Sequence, residues 1–338
     1  MECRLVDDLL IERPFIKSPF ISEMIDLFDS LRYKNNNFGV ASCLLLTGES
    51  GSGKSELAKY YLKNNPNVEQ PERIYKPVFH FEIKSVSTPL EFLRSILIGI
   101  GDPQLGMGAK NKSELYERLV LFLKTTGVEL LILDEVQVIM ERRSAQVVSG
   151  IADLFKDLIK DVEVPIVFMG MPWSEYLVDS NEQLKGRISY RYVIPPYRIS
   201  EKNFRDDYRR LLKLLADSYG FSAKIKLEEL FLTLRFFSAT SGNMRATANL
   251  ICDALMLSKM NEKDIDLDLF GEVVRNYGVH DYNNPFLQPI EKLMIRELVV
   301  HSDWHFGYRA NRNRIIDAEY ATYGVSEGGK IFSTQSVA

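Results

Sequence analysis

Cysteine is scarce in this chain of 338 residues: Cys3, Cys43 and Cys252 are the only three, and they lie far apart. So few and so dispersed, they exclude a disulfide framework and a zinc-ligand spacing, and they fit buried thiols in a reducing, cytoplasmic setting. Long apolar runs are also missing. None approaches the roughly 18 residues that a membrane helix needs, so no membrane association is expected. The opening Met1-Glu2-Cys3-Arg4 lacks the pattern of a secretory signal. Positive charge is not in excess, since 42 Lys and Arg face 46 Asp and Glu for a net charge of -4. A chain basic all over is thereby excluded, and any contact with nucleic acid must come from a local patch. No internal repeat is visible. Hydrophobic residues make up 46% of the chain, ample for a core in one large or two modest domains.

Apolar spacing divides the chain. Phe20, Ile21, Met24, Ile25, Phe28 and Leu31 recur at helical intervals after Ser18-Pro19, which predicts a lead-in helix within residues 1–40, broken by Asn35-Asn36-Asn37. From Ala41 short apolar runs alternate with helical patterns, as parallel strands joined by crossover helices do. Strands are expected at 43–47, 78–83, 130–133, 166–169 and 192–194, and helices at about 54–64, 89–99, 113–125 and 145–160. The fold class is therefore α/β: a three-layer, parallel-sheet core over 41–198. Pro195-Pro196 marks a break, after which helical spacing predicts an all-helical second domain over 199–300. Residues 301–338 show weak periodicity and read as a C-terminal tail with possible partner docking.

Gly48-Glu49-Ser50-Gly51-Ser52-Gly53-Lys54-Ser55 fits G-x4-G-K-[ST] between a strand and a helix, the context this phosphate-binding loop requires. Glycines let backbone N–H groups turn toward phosphate oxygens, and the next helix presents its positive end to the same anion. Lys54 is placed to reach the β and γ phosphates of ATP, and Ser55 to put its hydroxyl on Mg2+. Leu130-Leu131-Ile132-Leu133-Asp134-Glu135 delivers two carboxylates at a strand's C-terminal end, where open α/β sheets bind ligands. Asp134 is expected to organise the Mg2+, and Glu135 to act as general base on the attacking water.

Transfer of a γ-phosphoryl group builds charge that an arginine from a neighbouring subunit can neutralise. Arg187, ahead of the last strand, is the first candidate, with Arg191 the alternative. Arg245, in Ser241-Gly242-Asn243-Met244-Arg245 at a helix start, is expected to reach the bound nucleotide.

These motifs occur in the order of AAA+ ATPases. Within that class the chain resembles the TniB/TnsC family of transposition regulators of CRISPR-associated or related transposons. The segments that carry the resemblance are the loop 48–55, Gly127 to Glu135, Val164 to Met171 and Ala239 to Arg245, within residues 10–275. The resemblance implies an ATP hydrolase that oligomerises as a ring or filament on double-stranded DNA and links a target-selection protein to the transposase subunits. It implies Arg187 as the finger and Arg245 as the lid sensor. It also implies DNA contacts after the second strand and around the Asp-Glu strand, where Lys84, Lys110, Lys112, Arg142 and Arg143 are the candidates. Met171 departs from the family, which often has a polar sensor there, so slow or partner-stimulated hydrolysis is implied. Two other functions share these motifs: a replication-initiator or helicase-loader ATPase, and an ATP-gated DNA-binding scaffold with little turnover. His301 and His305 are four apart and could share a helix face, but they lack a third metal ligand.

Overall fold

The computed structural model of the protein describes residues 15–84, 88–109, 111–141, 144–220, 225–305 and 314–325. Strands β1 (Cys43–Thr47), β4 (Val78–Glu82), β5 (Leu130–Asp134), β6 (Ile166–Gly170) and β7 (Ile188–Val193) form one sheet in the order β4-β5-β6-β1-β7. All four pairings are parallel. A short antiparallel pair, β2 (Val68–Glu69) with β3 (Ile74–Tyr75), lies apart from it.

Three of the five strands are buried along their whole length, as a parallel sheet covered on both faces requires. Alternation then sorts their side chains. Cys43, Leu45, Leu131, Leu133, Ile166 and Phe168 join one core with helices α3 (Pro89–Ile100), α4 (Lys112–Thr125) and α5 (Ala145–Val162). Leu44, Leu46, Leu130, Ile132, Val167 and Met169 join another with α1 (Pro19–Phe38) and α2 (Lys54–Asn64). Each such side chain contributes on the order of 2 kcal/mol by leaving water, so both faces hold the sheet between its helical layers.

The lead-in helix α1 starts where Ser18 caps it, its hydroxyl accepting from Ile21 N–H. It does not break at Asn35-Asn36-Asn37. It runs through them to Phe38 and ends at Gly39, which takes the left-handed conformation at φ 64°. Asparagine costs a helix only a few tenths of a kcal/mol, and Asn37 donates back to Tyr33 O at 2.9 Å; the stop comes from glycine.

Beyond two short helices, α6 (Glu175–Asp179) and α7 (Glu182–Lys185), and strand β7, a second core forms among α8 (Lys202–Ser218), α9 (Leu230–Thr240), α10 (Met244–Asn261) and α11 (Leu267–Asn276). From 294 onward the described chain is extended, where the sequence predicts 294–300 within the all-helical domain and 301–338 as a tail. Strand β8 (Met294–Val300) pairs with β11 (Glu319–Gly324), and β9 (Asp303–His305) with β10 (Arg314–Ile316), both antiparallel. The helical spacing is weak because the segment is extended. Ile295 and Leu298 enter the helical core, and Trp304 is buried against the sheet domain, its ring stacked 6.5 Å from that of Trp173.

Candidate nucleotide site

Strand β1 ends in the loop 48–55, and the loop ends in α2, whose first residue is Lys54. Gly48 N–H donates to Gly170 O at 3.1 Å, so the loop begins fastened to the end of β6. Gly53 turns the chain into the helix at φ 98°, and a Cβ there would collide with the Met244 methyl. The φ is what selects glycine here, since the Met244 methyl ends a flexible side chain that can move aside.

The Lys54 ammonium is buried and donates to Gly48 O at 2.6 Å, Glu49 O at 3.1 Å and Ser52 Oγ at 3.3 Å. Burial lowers its pKa, the carboxylates of Glu135, Asp134 and Glu49 pull it back up, and Arg245 lowers it further; the result is about 8. The sign for folding follows. Between about 8 and the ordinary 10.5 the unfolded chain holds more protons than the folded one, so stability rises with pH across that window. A bound triphosphate supplies the negative charge that burial withholds, so ATP binding is expected to take up a proton above pH 8. Affinity should then fall by roughly tenfold per pH unit above that value. Calorimetry at pH 9 in two buffers of different ionisation enthalpy measures the uptake, and Lys54→Arg should abolish it. Equal heats in both buffers would rule the linkage out.

Asp134 and Glu135 follow one another at the end of β5. Asp134 is buried, its Oδ1 accepts from Glu135 N–H at 2.9 Å, and its Oδ2 has no hydrogen-bond partner among the described residues. Burial raises the Asp134 pKa, but the neighbouring His80 and Ser55 side chains outweigh it and hold the carboxyl below the usual range. His80, on β4, places Nε2 3.6 Å from Oδ2, an ion-pair distance rather than a hydrogen bond. Glu135 takes the left-handed conformation at φ 61°. Its Oε2 accepts from Gln137 Nε2, and Gln137 Oε1 accepts from Met171 N–H at 3.1 Å.

The helical domain closes onto the loop through Asn243 and Arg245. Asn243 caps α10 with Oδ1, accepting from Ala246 N–H at 3.0 Å, while its Nδ2 donates to Ser50 O at 2.8 Å. Arg245 N–H donates to Gly51 O at 3.2 Å, and its side chain is exposed beside the site. Between the loop and this helix lies a cleft of about 360 Å³ walled by Phe20, Ile21, Ile194, Tyr197, Leu211 and Met244, of a size to take the nucleoside end of a nucleotide. The C-terminal segment lines the same cleft through Leu298 and His301. Glu49 Oε1 accepts from Ser302 N–H at 2.7 Å and from its hydroxyl at 2.8 Å, and lies 3.2 Å from His301 Nδ1. Burial raises the Glu49 pKa, but His301 and Ser302 outweigh it, leaving the carboxylate below its ordinary range. His301 and His305 therefore share no helix face: one meets the phosphate loop, the other lies in β9.

Lys54, Ser55, Asp134, Glu135 and Arg245 thus converge on one place. Arg187 does not. It precedes Ile188, which pairs with Cys43 at the start of β1, whereas the loop follows the end of β1. Five residues at about 3.3 Å each set it ~16 Å away along the strand. Its Nε is buried without a hydrogen-bond partner among the described residues, whereas Arg191 is paired with Asp179 at 2.8 Å. Lys84 and Lys112 are exposed, the first after β4 and the second at the start of α4. Lys110, Arg142 and Arg143 lie outside the described residues.

The family model described as "Bacterial TniB protein" matches residues 9–197, more than half of the chain. The chain belongs to the TniB family. Among curated proteins none matches it. Solved structures similar to this TniB chain include the Aeropyrum pernix ORC2 protein in ADPNP-ADP complexes, at 15% identity and TM-score 0.52 over 78% of this chain and 70% of that one. Pyrobaculum aerophilum Cdc6p is similar at 14% identity and TM-score 0.52, over 82% and 73%. The Aeropyrum pernix ORC1 protein in complex with DNA is similar at 16% identity and TM-score 0.50, over 80% and 68%. At such identities the likeness establishes the fold, a P-loop AAA+ core followed by a helical domain.

His80, Gln137, Asn243 as a loop anchor, and the pair His301 and Ser302 were not singled out as site residues by the sequence. Only Gln137 carried a usable local signal, lying two residues beyond the Asp-Glu pair.

Proposed function

We propose that this protein is an ATP hydrolase that assembles in an ATP-dependent way, as a ring or filament, on double-stranded DNA. In this reading it regulates DNA transposition by linking a target-selection protein to the transposase. The observation that carries the reading is the separation of Arg187 from Lys54, Asp134 and Glu135. A subunit holds the binding groups and the base but presents its spare arginine at the opposite end of the sheet, so the site is completed by a neighbour. Membership in the TniB family favours transposition over a replication-initiator or helicase-loader role, which would use the same nucleotide motifs.

In this reading the loop N–H groups and Lys54 bind the phosphates, and the cleft takes the nucleoside. Ser55 and the unpartnered Oδ2 of Asp134 form an all-oxygen donor set that suits Mg2+, and these residues would hold it. The ion supplies charge neutralisation on the phosphate oxygens. Glu135 accepts a proton from water as the water oxygen bonds to the γ-phosphorus; the bond to the β-γ bridging oxygen breaks and its electron pair leaves with ADP. Arg245 reports the nucleotide to the helical lid, and the neighbour's arginine, Arg187 in that subunit, neutralises the transferred charge. Residues 41–198 then act as the ATPase core and 199–300 as the lid. The segment from 301 returns to the phosphate loop.

DNA is expected to lie against Lys84, Lys110, Lys112, Arg142 and Arg143, repeated from subunit to subunit. A few phosphate contacts each then add along the assembly, so a net acidic subunit still binds strongly. With a non-hydrolysable ATP analogue, affinity for a duplex should drop by roughly 1000-fold between about 50 and 200 mM salt, and nucleotide-free protein should bind weakly throughout. Fluorescence anisotropy across a salt series measures this. Duplex binding that ignores both salt and nucleotide would sink the proposal. Met171, apolar at the end of β6, favours slow turnover, so a scaffold with little hydrolysis is the second reading.

A further inference from the structure

We propose that Gln137 is the positioning residue of the general base, holding one oxygen of Glu135 so that the other faces the attacking water; this rests on the hydrolysis reading above. Gln137 is 5% exposed and both ends of its amide are engaged. Which end is which is settled by its partner: the Met171 backbone N–H can only donate, so the acceptor it meets is Oε1 and the group facing Glu135 is the NH2 donor. A donor facing Glu135 Oε2 leaves Oε1 as the oxygen to receive the proton.

The anchor for this amide is the frame that carries the phosphate loop. Met171 follows Gly170, whose carbonyl accepts from Gly48 N–H at 3.1 Å at the start of the loop. Gly170 also makes the room, because a Cβ there would lie 2.7 Å from Gln137 Oε1. Glu135 is thus tied, through one side chain and two backbone links, to the loop that would hold the phosphates. No other described side chain spans from the base to β6.

The test uses the full chain with duplex DNA, ATP and Mg2+, comparing Gln137→Leu and Gln137→Asn with wild type, each also in a Glu135→Gln background. Gln137→Leu should lower kcat by about tenfold or more while the Kd of a fluorescent ATP analogue stays within about twofold. In the Glu135→Gln background it should cause no further loss, because the group it positions is already disabled. If Gln137→Leu fails to fold, the milder Gln137→Asn, too short to span both partners, should show the same split between kcat and Kd. Unchanged kcat in Gln137→Asn, a Kd that weakens in step with kcat, or an added loss in the Glu135→Gln background would each overturn the assignment. Wild type that binds ATP without turnover overturns the hydrolysis reading and this assignment together; wild-type turnover with unaffected Gln137 variants overturns this assignment alone.

Discussion

Glu135→Gln should lower ATP turnover by roughly 100-fold or more, leave ATP affinity within about twofold, and prolong the life of ATP-dependent assemblies on DNA. The substitution keeps the side chain's length and its Oε acceptor toward Gln137, so the local packing survives. What it removes is a group able to take a proton from water. In the proposed site the loop backbone and Lys54 hold the phosphates and Glu135 does not, so binding should persist. The removed charge is one that raises the Lys54 pKa, so the small change expected in affinity is toward a weaker grip above pH 8. Phosphate release, analogue binding and pelleting with DNA measure the three quantities. A parallel collapse of binding would mean that Glu135 serves the ground state rather than the reaction.

Arg187→Ala should be equally severe for turnover, about 100-fold or more, yet silent in a lone subunit. Its position just ahead of β7, whose first residue Ile188 pairs with Cys43 at the start of β1, sets it apart from the loop of its own subunit. Nucleotide binding by dilute protein should therefore equal wild type. Turnover by the DNA-bound assembly should vanish, since the neighbouring Arg191 is held by its own partner. Arg191 is already engaged with Asp179 at 2.8 Å, so Arg191→Ala should cost far less. Weaker nucleotide binding by the dilute variant would place Arg187 in its own subunit's site, against the fold.

The parts of the site legible in the sequence were those written locally. Buried parallel strands read as continuous apolar runs, so β1, β5 and β6 were visible from Leu44-Leu45-Leu46, Leu130 to Leu133 and Ile166 to Met169. The loop 48–55 is a contiguous pattern whose chemistry demands that spacing. Edge strand β7 was placed too late, at 192–194, because its exposed face alternates Ser189, Arg191 and Val193 with inward residues and offers no run to find. The helix through Asn35-Asn36-Asn37 was cut short because asparagine is a weak breaker and the operative residue, Gly39, stands beyond it. The strands from 294 onward escaped because Trp304 and Ser302 find their partners, Trp173 and Glu49, across more than a hundred residues of chain. Contacts of that range leave no mark on local periodicity. Asn243 had both its roles in view only once the helix start met Ser50, since capping alone explains a Gly-Asn at a helix N-terminus.

The shared site is tested most directly by mixing two inactive proteins. Glu135→Gln retains the arginine and lacks the base; Arg187→Ala retains the base and lacks the arginine. In a head-to-tail assembly each interface joins one subunit's loop to its neighbour's edge, so about a quarter of the interfaces in a random equal mixture carry both groups. ATP hydrolysis on duplex DNA should return to about that fraction of the wild-type rate when the two are combined, with each alone near background. A mixture as inactive as its components, with co-assembly on DNA confirmed, would contradict a nucleotide site completed between neighbours.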